Sequence, residues 1–139
     1  MKKRSISELS SYQQRITTCV NELMTGVIGD KRDVLITRRK VLLKFLDFLI
    51  REAYILNYTV AETQRHYRVV LRYDRQGNAV ISKIVSLSVR TRLVYLKYSL
   101  ILRLKNLTMV YVFYTTSGYM THHQTLKKNL GGLLVCVIV

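Results

Sequence analysis

Apolar residues recur in the first part of the chain at steps of three and four: Leu9, Tyr12, Ile16, Cys19, Val20, Leu23 and Val27. That spacing gives a helix with one apolar stripe, opened by Ser7 as N-cap and closed near Gly26. Val34-Leu35-Ile36 reads as a short strand. A helical period returns from Arg38 to Ala53, where Lys40, Lys44, Asp47 and Arg51 trace one polar line. Leu42, Leu43, Phe45, Leu46, Phe48, Leu49 and Ile50 cover the rest of that cylinder, so most of this helix is expected to be buried.

Beyond it the pattern changes to strands. Tyr54 to Val60 is one, and Tyr67 to Tyr73, with its alternating arginines, is another. Asp74-Arg75-Gln76-Gly77-Asn78 supplies turn residues, and Ala79 to Leu87 is expected to complete a hairpin. Further strands are expected at Thr91 to Lys97 and Met109 to Tyr114, with a helical turn at Leu100 to Lys105 between them. Thr121 should N-cap a short helix ending at Lys127 and Lys128, where cations are favoured. Gly131 is then expected to make a left-handed turn before a buried strand from Leu133 to Val139. The fold class is α/β in the α+β sense, with two small, closely packed lobes. Residues 1–88 form an α-β-α-β-β-β lobe, and residues 89–139 form a lobe that is mostly β with a short helix.

Charge changes the picture from fold to partner. Among 139 residues there are 23 Lys and Arg against 8 Asp and Glu, a net charge of +15. With 49% hydrophobic residues the chain is not disordered. So large an excess on a compact protein repels itself and is most simply explained by a polyanion, nucleic acid first and an anionic membrane second. Between Lys105 and Lys127 no residue carries a full charge, but only Met109 to Tyr114 is continuously apolar, short of the ~20 residues a spanning helix needs. No transmembrane helix and no secretory signal are expected.

Enzyme templates fail. The sequence has no phosphate-binding glycine loop, no zinc-protease helix motif and no serine nucleophile elbow. Cys19 and Cys136 lie among apolar residues and read as buried thiols; with His66, His122 and His123 they make no metal set. No catalytic residue, cofactor, metal or small-molecule substrate is expected. What remains is the hydroxyl-rich segment Thr115-Thr116-Ser117-Gly118-Tyr119, whose side chains and amides can bond phosphate, ribose or base edges. Ser88 to Tyr95 interleaves Arg90 and Arg92 with Tyr95, a mixture suited to RNA, although it also fits an exposed strand with solvated arginines.

These segments carry a resemblance. Tyr114-Thr115-Thr116-Ser117-Gly118-Tyr119-Met120-Thr121, followed by Asn129-Leu130-Gly131-Gly132-Leu133-Leu134-Val135-Cys136, resembles the C-terminal signature of the small-subunit ribosomal protein S-eight family, with the same spacing between blocks. Ser88 and Tyr95 match the ends of an upstream block of that family, and Arg38-Arg39-Lys40-Val41 matches the start of its second helix. The chain departs from the family at Ser117, where a Lys or Arg is usual, and at Val89-Arg90-Thr91, where the family has Arg-Pro-Gly. Both arginines of the family's basic helix-one motif are also lost, within Asn21-Glu22-Leu23-Met24-Thr25-Gly26.

The resemblance implies a structural protein that binds the central domain of small-subunit rRNA, beside neighbouring ribosomal proteins. Its implied RNA-binding set is Thr115, Thr116, Ser117, Gly118, Tyr119, Ser88, Arg90, Arg92, Tyr95, Arg38, Arg39 and Lys40. Lys127 and Lys128 join that set, and either they or Arg90 and Arg92 are expected to offset the cation missing at Ser117. The absence of Pro and Trp, the ten Tyr and the positive mean hydropathy suggest an organellar ribosome, mitochondrial before plastid. Because helix one begins almost at Met1, synthesis inside the organelle is the expectation. A peripheral membrane protein or a non-ribosomal RNA binder is the alternative.

Overall fold

The computed structural model describes residues 6–87, 92–104 and 108–139. In chain order the elements are α1 (Ile6–Ile28), β1 (Asp33–Thr37), α2 (Leu42–Arg51), β2 (Ile55–Val60), β3 (His66–Leu71) and β4 (Ile84–Ser86). There follow β5 (Tyr95–Leu96), α3 (Tyr98–Ile101) with a 3-10 turn at Leu102–Leu104, β6 (Val110–Thr115), β7 (Gly118–Thr121), α4 (His122–Lys128) and β8 (Gly132–Ile138). The class is α+β: helix and strand alternate first, and strands with a short helix follow.

From Ile16 onward the stripe on α1 is buried as its period requires, with Ile16, Cys19, Val20, Leu23 and Val27 facing inward, while Tyr12 is half-buried and the Leu9 side chain lies outside those described. The helix already begins at Ile6, so Ser7 lies inside it, and it runs on past Gly26 to Ile28. Gly26 does not end the helix; it admits β1. A Cβ there would lie 1.9 Å from the Val34 side chain. Helix α2 starts at Leu42, four residues later than its apolar period suggests, because Arg38 still belongs to the sheet and donates its N–H to the Arg65 carbonyl at 2.9 Å. It ends where Ala53 turns left-handed, with the Tyr54 N–H on the Leu49 carbonyl at 2.9 Å and the Ala53 N–H on Ile50. Its faces follow the pattern: Leu42, Phe45, Leu46, Phe48 and Leu49 are buried, and Lys44, Asp47 and Arg51 are exposed.

Two antiparallel sheets hold the helices. The first has the order β1-β3-β2, and β3 turns Tyr67, Val69 and Leu71 inward. The second runs β4-β8-β6-β7, with β5 also on β8. Here the structure corrects the expected hairpin. The turn at Asp74–Asn78 forms, but only the bridge Tyr73–Ala79 follows it, and the chain then leaves to pair β4 with β8, Ile84 opposite Ile138. The first part of the chain therefore lends a strand to the second sheet. The strand expected at Thr91 to Lys97 is reduced to Tyr95–Leu96, with Thr91 outside the described residues.

All seven residues of β8 are buried because both faces of its sheet are covered. Val135 and Cys136 join the main core with α1 and α2, while Leu134 packs with Phe113 and Ile101 beside Leu126 of α4. That explains an unbroken apolar run in an antiparallel strand, where alternation is usual. A polar knot ties α1 to this sheet: Gln13 Nε2 donates to Ser86 Oγ at 3.1 Å, and the Ser86 and Thr17 hydroxyls lie 2.9 Å apart. Thr121 caps α4 reciprocally with Gln124. The left-handed exit is Asn129, with φ of 55°, not Gly131. Gly131 is needed for space instead, since a Cβ would stand 2.8 Å from the Leu96 carbonyl. Cys19 and Cys136 are buried thiols, their pKa values pushed up by burial.

His122 is fully buried, and its Nδ1 accepts the Tyr111 N–H at 3.1 Å. The ring proton then belongs to Nε2, which is buried and has no hydrogen-bond partner among the described residues. Burial, and after it the His123 ring, holds the pKa of His122 below the ordinary imidazole value.

Two outcomes follow from this packing. Leu46→Ala is expected to cost ~2–5 kcal/mol in urea unfolding, and Lys44→Ala no more than ~0.5 kcal/mol. For His122 the dependence is on pH. Above the ordinary value of 6.5 the ring is neutral in both states, so its contribution to stability is fully present. As pH falls through 6.5 toward the lower folded value, the unfolded chain takes the proton first and stability drops. Unfolding curves from pH 7.5 down to 5 should show the fall, and His122→Gln should flatten it.

Candidate nucleic-acid interface

The hydroxyl-rich segment is the tip of a β-hairpin. Thr115 pairs with Gly118, leaving Thr116 and Ser117 as the exposed turn, and Gly118 takes φ of 98°, a conformation that suits glycine. Thr115 points inward. Its hydroxyl donates to the Gly118 carbonyl at 2.9 Å and accepts the Ser117 N–H at 3.1 Å, so it shapes the turn from inside. Beyond the turn, β7 was hidden in the sequence because its four residues read as loop plus helix cap.

Tyr119 seats this hairpin on α2. Its ring meets Phe45 edge-on at 5.4 Å, Phe48 at 6.3 Å and Tyr114 at 4.9 Å between centroids. The Arg51 guanidinium donates to the Tyr119 carbonyl at 2.9 Å while lying over the Phe48 ring. Next to it, Glu52 accepts from Gln124 Nε2 at 2.7 Å, tying the end of α2 to α4.

The result is a band of adjoining hollows around the tip. One is lined by Tyr12, Arg15, Lys40, Lys44 and Tyr114; the next by Lys44, Asp47, Arg51, Thr116 and Ser117; the last by Arg51, Gln124 and Lys128. Among the described residues five cations line the band against one lining carboxylate, and one of the five, Arg51, also pairs with Glu52 at 3.7 Å. The lining carboxylate, Asp47, accepts the Tyr58 hydroxyl at 2.7 Å. Burial, and then this bond, pushes the Tyr58 pKa up to about 12. Such a surface can neutralise several phosphates while offering hydroxyls and backbone amides at close range.

The expected residues are distributed unevenly over this surface. Thr116, Ser117, Gly118, Tyr119, Lys40 and Lys128 line the band, though Tyr119 is buried and acts as its anchor. Arg38, Arg39, Arg92, Tyr95 and Lys127 are exposed and are not among its lining residues. The Arg38 guanidinium donates to the Gln64 carbonyl at 3.0 Å. Ser88 and Arg90 lie outside the described residues. Arg15, Lys44 and Arg51 also line the band and are not among the residues expected from the sequence. Two of them were visible on the polar line of the second helix, but nothing local said what that line faces. Among the described residues no group of His, Cys, Asp and Glu could hold a metal, and no helix is long and apolar enough to cross a membrane.

Comparison with known proteins fixes the lineage. The model of the family Ribosomal protein S8 matches residues 14–139. The chain belongs to the ribosomal protein S8 family. Small ribosomal subunit protein uS8 of Borreliella afzelii (strain PKo) is 32% identical over 95 residues, covering 67% of this chain and 72% of the relative. Those of Wolinella succinogenes and of Helicobacter pylori (strain Shi470) are 31% and 29% identical over 101 residues, 71% of this chain and 77% of each relative. The family match includes the hairpin and both walls of the band. Within this S8-family chain the two threonines of the tip have separate tasks. Thr115→Val should cost ~0.5–1.5 kcal/mol for each of its two hydrogen bonds, whereas Thr116→Val should leave the thermal melt unchanged.

Proposed function

We propose that this chain is a structural, non-catalytic constituent of the small ribosomal subunit, which binds the central domain of small-subunit rRNA and supports its assembly for translation. The observation that carries the reading is the exposed Thr116–Ser117 tip flanked by Lys44, Arg51 and Lys128 in a member of this family. The cations set affinity and register on the phosphates. The short hydroxyls and amides of the tip reach ribose hydroxyls and base edges in the wide, shallow minor groove of an RNA helix. Neighbouring small-subunit proteins are the other partners. We place the ribosome in a mitochondrion, with a plastid as the alternative; the drift in composition, with no Pro or Trp and ten Tyr, supports this.

The test is a salt titration of binding to a central-domain rRNA transcript and to an unrelated duplex. About six phosphate contacts give a log–log slope of roughly −4 to −5. Lys44→Gln with Lys128→Gln should flatten the slope by ~1.4–1.8. Thr116→Val with Ser117→Ala should weaken cognate binding by ~5- to 150-fold for two lost hydrogen bonds, with the slope unchanged. A slope near zero, or equal binding of both RNAs, sinks the reading.

A further inference from the structure

The three-stranded sheet has two ends. One leads from β1 through Arg38 to Lys40 and the cationic band. The other gathers Lys31 and Arg32 before β1 with Arg72 and Arg75 after β3. The antiparallel pairing of β1 with β3 brings the two segments that carry these residues to the same end of the sheet. Asp33 stands opposite Val70, the Leu71 N–H donates to the Arg32 carbonyl at 3.0 Å, and the Tyr73 hydroxyl donates to the Lys31 carbonyl. Arg72 directly follows β3, and its carbonyl accepts the Val80 N–H at 2.9 Å. Arg75 belongs to the turn closed by the Tyr73–Ala79 bridge. All four cations are exposed, and none joins an ion pair among the described residues.

The nearby acids are largely committed elsewhere. Asp33 pairs with Arg68 at 3.1 Å, and Asp74 Oδ1 accepts the N–H groups of Gln76 and Asn78, both at 2.9 Å. Asp30 alone is left, exposed where α1 gives way to β1. Like charges gathered at one end of a sheet repel each other. A cluster in which no cation is held in an ion pair among the described residues is accounted for by an outside polyanion.

We propose that Lys31, Arg32, Arg72 and Arg75 form a second phosphate-gripping surface, which holds the backbone of an RNA segment other than the one at the hairpin tip. The proposal rests on the RNA-binding reading above. Arg32 and Arg38 flank the extended β1 six residues apart, ~20 Å at ~3.3 Å per residue and more than twice the ~8 Å screening length at physiological salt, and Lys40 of the band follows Arg38 in the chain. The two surfaces therefore act on different phosphates. Three of the four cations are arginines, whose planar forks match phosphate oxygens in pairs. The Asp74–Asn78 turn offers no bulky apolar residue to enter a bilayer, which favours RNA over a membrane.

The experiment uses the full chain and a central-domain rRNA transcript. Arg72→Gln with Arg75→Gln should flatten the log–log salt slope by ~1.4–1.8, and Arg72→Lys with Arg75→Lys should retain it. Both side chains are exposed, so the melting curve should not move, and the lysine pair controls for folding. Combined with Lys44→Gln and Lys128→Gln, the loss of slope should add, because the surfaces are independent. Tight wild-type binding with a slope unaltered by the glutamine pair overturns this proposal and leaves the hairpin reading standing. Failure of the wild-type chain to bind the transcript overturns both. Flotation with phosphatidylserine vesicles that needs the same two arginines, without an effect on RNA, assigns the surface to a membrane and also overturns it.

Discussion

The seat of Tyr119 on α2 determines where the Thr116–Ser117 tip is presented. The ring fills the space between Phe45, Phe48 and Tyr114, and its own carbonyl is held by Arg51. Aromatic pairs of this kind add ~0.5–1.5 kcal/mol beyond their buried area, and a guanidinium–carbonyl bond is stronger than a neutral one. Because the ring and the carbonyl belong to one residue, packing and hydrogen bonding fix the same strand against the same helix. The exposed tip lies two residues before that anchor, so its position follows from the core. Loops that recognise ligands are most effective on such rigid supports.

A second constraint is electrostatic. A chain of net charge +15 repels itself, and its few acids are used sparingly. Glu52 links α2 to α4 through Gln124, Glu22 accepts the Thr37 N–H, Asp74 organises a turn and Asp47 accepts from Tyr58. These carboxylates tie elements of the fold to one another, and among the described residues the ion pairs are Arg51–Glu52 and Arg68–Asp33. The core carries the stability instead, through α1, α2 and the wholly buried β8. The protein keeps its positive field for a partner.

Periodicity made legible whatever is local. The stripe of α1 and both faces of α2 follow from apolar spacing, and the cap at Thr121 from a Thr followed three residues later by Gln. What the pattern missed was decided by distant pairing. Arg38 looks helical until Arg65 accepts its N–H, and Ala79 to Leu87 looks like the return strand of a hairpin until β8 captures Ile84–Ser86. Likewise, Lys44 and Arg51 read as a solvated line because the hairpin they face arrives 68 positions after Arg51. The tip itself was legible through its hydroxyls and glycine, although Thr115 belongs to the turn's interior.

On the proposed RNA-binding reading, the tip suggests how a small change of residue type is absorbed. Ser117 carries no charge where the resembling family has a Lys or Arg, yet Arg51 and Lys128 line the same hollow as Ser117. Charge acts over several ångströms, so a cation can be supplied from a neighbouring helix without entering the tip. Hydrogen bonding has no such reach, since it fails beyond about 3.5 Å and at poor angles. Short-range groups are therefore tied to the hairpin, whereas cations are free to move among the elements around it. A surface built on that division keeps its recognition geometry while its charges are redistributed, and α2 is the element onto which they can move because Tyr119 already holds it there.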